Sequence, residues 1–307
     1  MIENIRSFQE NFQKGLKVKV GIPKSYRKIE NIVIAGMGGS AISGQIVKDC
    51  LDLKFPLEVS RNYSLPSFVN RKALLICISY SGNTQETLNQ FNQGKKKKAK
   101  IIAITSGGKL KAKAKKSNLP LIEIPTGFLP RESLPYLLSA LIKLLKTLNL
   151  TKEPLNFRTL NIEKEAKNFS KKIKNTFPII CSQYPSVSFR WESQLSENSK
   201  HLSENKSLPE LAHNEIESWR KLNKGYSLIF LRDGKESREI KALIRGIKKI
   251  VKNKVQIFEV SGKGRTKLER ILHLIIFGDF VSYFLSQENK VNPKQNKYID
   301  ALKKEIS

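Results

Sequence analysis

Cysteine is scarce, with three residues among 307: Cys50, Cys77 and Cys181, odd in number and far apart. That spacing excludes a disulfide framework, and two of the three sit in apolar strand-like runs, so they are read as small buried hydrophobes. Long apolar stretches are missing as well. The longest, Leu272 to Leu285, is broken by Gly278 and Asp279, so no transmembrane helix is expected. Residues Met1 to Arg6 lack a basic segment followed by an apolar one; no signal peptide is read, and a cytoplasmic location is expected. Acidic side chains are few, 27 against 56 basic ones, which leaves a net charge of +29. A nucleic-acid binder would be this basic. Yet no aromatic–basic interleaving, zinc-finger spacing or recognition-helix pattern accompanies the charge, so neither nucleic acid nor membrane is expected as a partner. The lysines, including the block Lys95-Lys96-Lys97-Lys98, read as a solvated coat that draws anionic substrates.

What is present is organised around Cys77-Ile78-Ser79-Tyr80-Ser81-Gly82-Asn83-Thr84-Gln85-Glu86-Thr87. Ala73 to Ile78 is a run of aliphatic and β-branched residues that predicts a buried strand, and Glu86 with Leu88 to Phe91 predicts the first turns of a helix. A helix start leaves backbone N–H groups unpaired and carries partial positive charge. One hydroxyl there would be an ordinary cap. Ser79, Ser81, Thr84 and Thr87 around Gly82 point instead to a seat for a phosphate ester.

The length allows two domains of about 150 residues each. Strands are predicted at Asn31–Ala35, Ala73–Ile78, Lys100–Thr105 and Leu119–Ile124, with helices over 41–51, from Glu86, after Ser106-Gly107-Gly108-Lys109, and over 136–148. Strand–helix alternation of this length implies a parallel sheet covered on both faces, with ligands beyond the carboxyl ends of the strands. Gly36-Met37-Gly38-Gly39-Ser40 falls at that edge too. Its Gly36-x-Gly38-x-x-Ala41 pattern is like a dinucleotide fingerprint, but Leu57-Glu58-Val59-Ser60-Arg61 ends without the acidic ribose ligand. Arg131, between Pro130 and a helix start, suits an anion at the same edge, or a surface ion pair with Glu132. The pattern lapses from Asn149 to Arg158, so the domains are placed at 1–150 and 151–307. The second half repeats the plan: helices over 162–174, 187–200, 237–252 and 267–285, strands over 178–182, 227–231 and 255–260, and a basic tail helix within 292–306.

Carboxylates and a histidine gather in Arg190 to Lys200 and Leu208 to Trp219. Glu192, Glu197 and Glu204 could each be solvated helix charges, and His213 a surface histidine. Taken together, Ile34 to Ala41, Ser79 to Thr87, Glu197-Asn198-Ser199-Lys200 and Leu208-Pro209-Glu210-Leu211-x-His213-Asn214-Glu215-Ile216 resemble the bifunctional phosphoglucose/phosphomannose isomerases, over nearly the whole chain and in order. That family is built from two sugar-isomerase (SIS) domains, each an αβα sandwich around a parallel sheet. The resemblance implies that Ser40, Ser79, Ser81 and Thr84 hold a sugar phosphate, with Gly38 and Gly39 lining the pocket. It makes Arg131 the arginine beside the reacting carbons, Glu197 the base, His213 the ring-opening group and Lys303 the C-terminal lysine of the site. It further implies a homodimer with the active site at the subunit interface, the histidine coming from the partner chain.

The implied activity interconverts glucose, mannose and fructose 6-phosphates without metal or cofactor, and no His/Cys/carboxylate set stands at metal-ligand spacing. The alternative is a regulatory SIS protein that binds sugar phosphate without turnover, for which a base would have no use. Ala212, Ser218 and Phe189 depart from the family pattern, as does Asn292 to Asn296, where the family carries a small hydroxyl residue linked to acceptance of both epimers.

Overall fold

The computed structural model describes residues 1–152 and 161–305, and these divide into two units, one within Arg6–Asn156, the other within Phe157–Ser307 and joined there by Met1–Ile5. Of the sequence lapse from Asn149 to Arg158, residues 153–158 lie outside the described residues, and a domain boundary after residue 150 stays a proposal. Ser7, whose ψ of 8° departs from helical values, separates α1 (Ile2–Arg6) from α2 (Phe8–Gly15).

In the first unit the chain runs β1 (Asn31–Ala35), α3 (Gly38–Cys50), β2 (Leu57–Ser60), β3 (Ala73–Ile78), α4 (Gln85–Lys96), β4 (Lys100–Thr105), α5 (Gly108–Lys116), β5 (Leu121–Glu123) and α6 (Leu134–Thr147). All five strands are parallel, in the order β2-β1-β3-β4-β5. Every residue of β3 is buried, which an uninterrupted aliphatic strand achieves only when both sheet faces are covered. Val33, Leu75, Cys77 and Ala103 pack with Leu88 and Phe91 of α4 and Leu110 and Ala114 of α5. Ile34 points to the other face, where α3 comes so close that a Cβ on Gly44 would sit 2.9 Å from Ile34 Cγ2. Each such buried aliphatic contributes about 1.5–3 kcal/mol. The strand order reverses between β1 and β3, and the loops leaving these two strands are Gly36 to Met37 and Ser79 to Thr84. That is where a crevice for a ligand opens in sheets of this order.

The second unit repeats the design with α7 (Glu163–Ile173), β6 (Phe177–Ser182), α8 (Pro185–Gln194), β7 (Glu204–Ser207), β8 (Tyr226–Arg232), α9 (Arg238–Ile250), β9 (Gln256–Ser261), α10 (Lys267–Glu288) and α11 (Lys297–Glu305). Its four parallel strands lie in the order β7-β6-β8-β9. The strand β7 is not apparent in the sequence, because Glu-Asn-Lys-Ser at a sheet edge has no apolar pattern. Its Lys206 pairs with Glu204 at 2.5 Å and Glu215 at 3.0 Å.

Helix α10 is buried along most of its 22 residues. Asp279, which interrupts its apolar run, forms a bidentate pair with Arg190 of α8, Nε to Oδ1 at 3.0 Å and Nη2 to Oδ2 at 2.9 Å, both side chains buried. Trp191 Nε1 donates to Leu274 O at 2.9 Å, and its ring stacks on Phe277. Among the described residues no helix is long and apolar enough to cross a membrane. Cys50, Cys77 and Cys181 are all buried and in no disulfide, and burial pushes the Cys77 and Cys181 thiols far up from their ordinary range.

Candidate active site

The first unit gathers the predicted phosphate ligands at the β1/β3 crevice. Ser79 is 1% exposed; its Oγ accepts the Gly82 N–H at 3.1 Å and lies 2.9 Å from Thr84 Oγ1. Ser40 Oγ accepts the Tyr80 N–H at 3.3 Å, which joins the start of α3 to the loop after β3. Ser81 is exposed and caps the Asn83 N–H at 3.2 Å. The turn requires Gly82: its φ is +70°, and a Cβ there would fall 1.9 Å from Gly107 O. Leu110 N donates to Gly82 O at 2.8 Å, so the loops after β3 and β4 hold each other.

Neither α3, preceded by Met37, nor α4, preceded by Thr84, has its start capped by a side chain at that position. In the second unit Ser237 and Thr266 do cap α9 and α10, accepting from Ile240 N and Glu269 N. The first N–H groups of α3 and α4 and the hydroxyls of Ser40, Ser79 and Thr84 stand at the carboxyl ends of the adjacent strands β1 and β3, and donors of these types suit a tetrahedral dianion. Thr87, counted with these hydroxyls in the sequence, is wholly buried, and its Oγ1 has no hydrogen-bond partner among the described residues. It lies in the first turn of α4, on the side of the core residues Leu88 and Phe91.

Arg131 sits in the 3₁₀ turn Pro130–Glu132 and is 3% exposed. The turn lies close over Gly39, where a Cβ would come within 3.1 Å of Pro130 O and 3.6 Å of Arg131 Cα. Gly38, exposed and with φ at +48°, completes this corner. Tyr80 adds a support that the sequence reading missed: its hydroxyl accepts the Phe128 N–H at 2.9 Å and so pins the strap leading to Arg131. The only sequence signal for that role was an aromatic among small hydroxyl residues.

In the second unit, helix α8 ends at Gln194, short of the predicted Lys200, and the chain continues in a wide π-type turn, Leu195–Ser199. Such turns recur at functional positions. Glu197 is half-buried on this turn. Lys200 closes it in the left-handed region, φ +54°, and its Nζ donates to Glu197 O and, at 2.6 Å, to Gln295 O. Asn198 Nδ2 donates to Ser282 Oγ at 2.9 Å, which anchors the turn to α10. Beside it opens a pocket of about 600 Å³ lined by Ser196, Lys200, His201, Asn292, Gln295 and Tyr298. Glu192, one turn earlier on α8, is the rival carboxylate: burial pushes its pKa up, while the Asn205 amide pulls it back. His213 is exposed at the end of the 3₁₀ turn Glu210–His213, and Lys303 is exposed on α11, a helix without buried residues. Among the described residues no three His, Cys, Asp or Glu side chains gather where they could hold a metal ion.

Residues 162–306 match the family described as the bacterial phospho-glucose isomerase C-terminal SIS domain, and residues 25–119 match the SIS domain. The bifunctional phosphoglucose/phosphomannose isomerase of Aquifex aeolicus is 34% identical, covering 93% of this chain and 93% of that protein. The enzyme of the same name from Thermoplasma volcanium is 36% identical over 95% of this chain and 97% of its own length. Among solved structures, the C-terminal domain of glucosamine-fructose-6-phosphate aminotransferase from Francisella tularensis superposes with a TM-score of 0.73. It covers 96% of this chain and 98% of that one at 16% identity, a likeness of fold alone.

Proposed function

The chain belongs to the bifunctional phosphoglucose/phosphomannose isomerase family and is a sugar-phosphate aldose–ketose isomerase; we propose that it interconverts glucose, mannose and fructose 6-phosphates through a cis-enediolate, without a metal. The phosphate is held by Ser40, Ser79, Ser81 and Thr84 and by the N–H groups that begin α3 and α4, with Gly38 and Gly39 letting it approach the backbone. The observation that carries this reading is the uncapped start of α4 beside the Ser79–Thr84 hydroxyl pair, 2.9 Å apart.

The reaction begins from the cyclic sugar. His213 of the partner subunit, assisted by Lys303, moves a proton between the C1 hydroxyl and the ring oxygen, which opens the ring. Glu197 then takes the hydrogen from C2 of the open aldose and delivers it to C1, while the hydroxyl proton passes from O2 to O1. General-base catalysis of this kind is worth about 10²–10⁴-fold. The Arg131 guanidinium, always protonated, stabilises the negative oxygen of the enediolate, and fixed charge of this type acts strongly where water is excluded. Loss and return of the C2 hydrogen from either face of the enediolate connects the glucose and mannose epimers through one ketose. The assembly is a homodimer that places the histidine of one chain at the site of the other.

The test is turnover of fructose 6-phosphate by the purified protein, with glucose 6-phosphate and mannose 6-phosphate detected separately. Formation of both is the expected result. Absence of either product overturns the corresponding half of the proposal.

A further inference from the structure

The reaction makes no use of the lysine block beginning at Lys95. Lys95 lies in the last turn of α4, and between the ends of α4 and α5 is an open pocket of about 550 Å³. Ala99 and Leu119, partly exposed above the buried Phe91 and Ile101, give it an apolar side, and Lys95, Lys113 and Lys116 a basic one. The pocket lies where β4 begins, at Ala99 and Ile101, whereas the phosphate seat follows the end of the parallel strand β3. The two are at opposite ends of one sheet, and α4 reaches from Thr84 at the seat to Lys95 at the pocket.

Lysines collect at helix ends because terminal carbonyls carry partial negative charge. These lysines reach sideways instead. Lys95 Nζ donates to Ser117 Oγ at 2.8 Å, and Lys113 Nζ donates to Asn92 Oδ1 at 3.2 Å, so each crosses the pocket to a neutral acceptor on the other wall. On the same helix α5, Lys111 and Lys115 both pair with Glu123. Among the described residues no carboxylate forms an ion pair with Lys95, Lys113 or Lys116. Three lysines therefore line one cavity without an ion-pair partner, beside the partly open apolar side chains of Ala99 and Leu119. A volume of this size is ordinary for a small-molecule site.

We propose that this pocket binds an organic polyphosphate, specifically a nucleoside triphosphate, with the phosphate chain against Lys95, Lys113 and Lys116 and the base against Ala99 and Leu119. The proposal is independent of the isomerase reading, since its readout is binding.

Equilibrium dialysis with ATP in the full-length protein tests it. Substituting Lys95→Ala, Lys113→Ala and Lys116→Ala together raises the Kd at least tenfold, and the milder pair Lys95→Gln with Lys113→Gln raises it several-fold. Replacing three exposed lysines of α7, Lys164→Ala, Lys171→Ala and Lys172→Ala, leaves the Kd within twofold, which separates the site from general attraction to a chain of net charge +29. Ser79→Ala also leaves it within twofold. Inorganic tripolyphosphate binds at least fivefold more weakly than ATP. Unchanged ATP binding in both Lys95 variants, or weakened binding in Ser79→Ala, would place the nucleotide elsewhere and overturn the proposal. Equal affinity for tripolyphosphate and ATP would refute the role of the apolar side.

Discussion

The hydroxyls of Ser79 and Thr84 stand 2.9 Å apart, and the Ser79 oxygen also receives the Gly82 N–H. The pair is thus fixed before any ligand arrives, and Thr84 sits directly ahead of the first residue of α4. A hydrogen bond to a charged phosphate contributes about 1.5–3 kcal/mol, so Ser79→Ala should raise the KM for fructose 6-phosphate about tenfold or more. Steady-state kinetics at fixed pH measure this. A KM within twofold of wild type would mean that the ester binds somewhere else.

Glu197 and Glu192 provide an internal comparison. Removal of the base should lower kcat by about 10²–10⁴-fold in Glu197→Gln, with KM little altered. Glu192→Gln should change kcat less than threefold, because the half-buried Glu192 is held by the Asn205 amide. If the two effects were exchanged, the base would be the residue on α8.

Chelation addresses the metal-free mechanism. Dialysis against EDTA, followed by assay in metal-free buffer, should leave turnover within about 20% of the starting rate, since in the proposed mechanism Glu197 moves the proton and the Arg131 guanidinium stabilises the enediolate oxygen. Loss of turnover restored by a divalent ion would refute it.

His273 is the acid-sensitive element of the second unit. Both ring nitrogens are buried without a hydrogen-bond partner, and burial, helped by Lys263 and opposed by Glu165, lowers its pKa to about 4. The unfolded chain takes up this proton near pH 6.5 and the folded chain only near 4, so the unfolded state binds more protons between those values and stability falls with pH across that window. The loss from pH 7.5 to pH 5 is about 2 kcal/mol. Urea unfolding of His273→Phe at both pH values should show a smaller difference than wild type; an equal difference would exonerate His273.

The buried Arg190–Asp279 pair should reveal itself by asymmetry. Asp279→Ala leaves a buried guanidinium uncompensated and costs about 3–5 kcal/mol, whereas Arg190→Met combined with Asp279→Leu comes close to neutral. Thermal melts of the single and double variants decide. A double variant as unstable as the single one would show that the pair is more than compensated charge.

Strands with continuous aliphatic runs were legible to the residue: β1, β3 and β4 begin and end where their composition changes. The helices shifted by a few residues because glycine at Gly38 and proline at Pro185 entered first turns, which pattern alone does not reveal. The strand β7 and the π-type turn around Glu197 escaped the sequence for a different reason. One is polar and edge-on; the other depends on Asn198 and Lys200 finding partners in α10 and in the segment before α11, contacts distant in the chain. The phosphate seat was readable because hydroxyls and glycine clustered locally. The support from Tyr80 to Phe128, 48 residues apart, was not.

The position of α10 also governs how the protein is made. Trp191 and Arg190 find their partners at Leu274 and Asp279, more than 80 residues downstream. A ribosome that has just released the first unit can leave it to fold, but in the second unit α7 and α8 lack their packing partner until Lys267 to Glu288 clears the exit tunnel. During that interval the nascent chain presents Trp191 and its aromatic neighbours to chaperones and to other chains, so slow translation through α10 would favour aggregation over product.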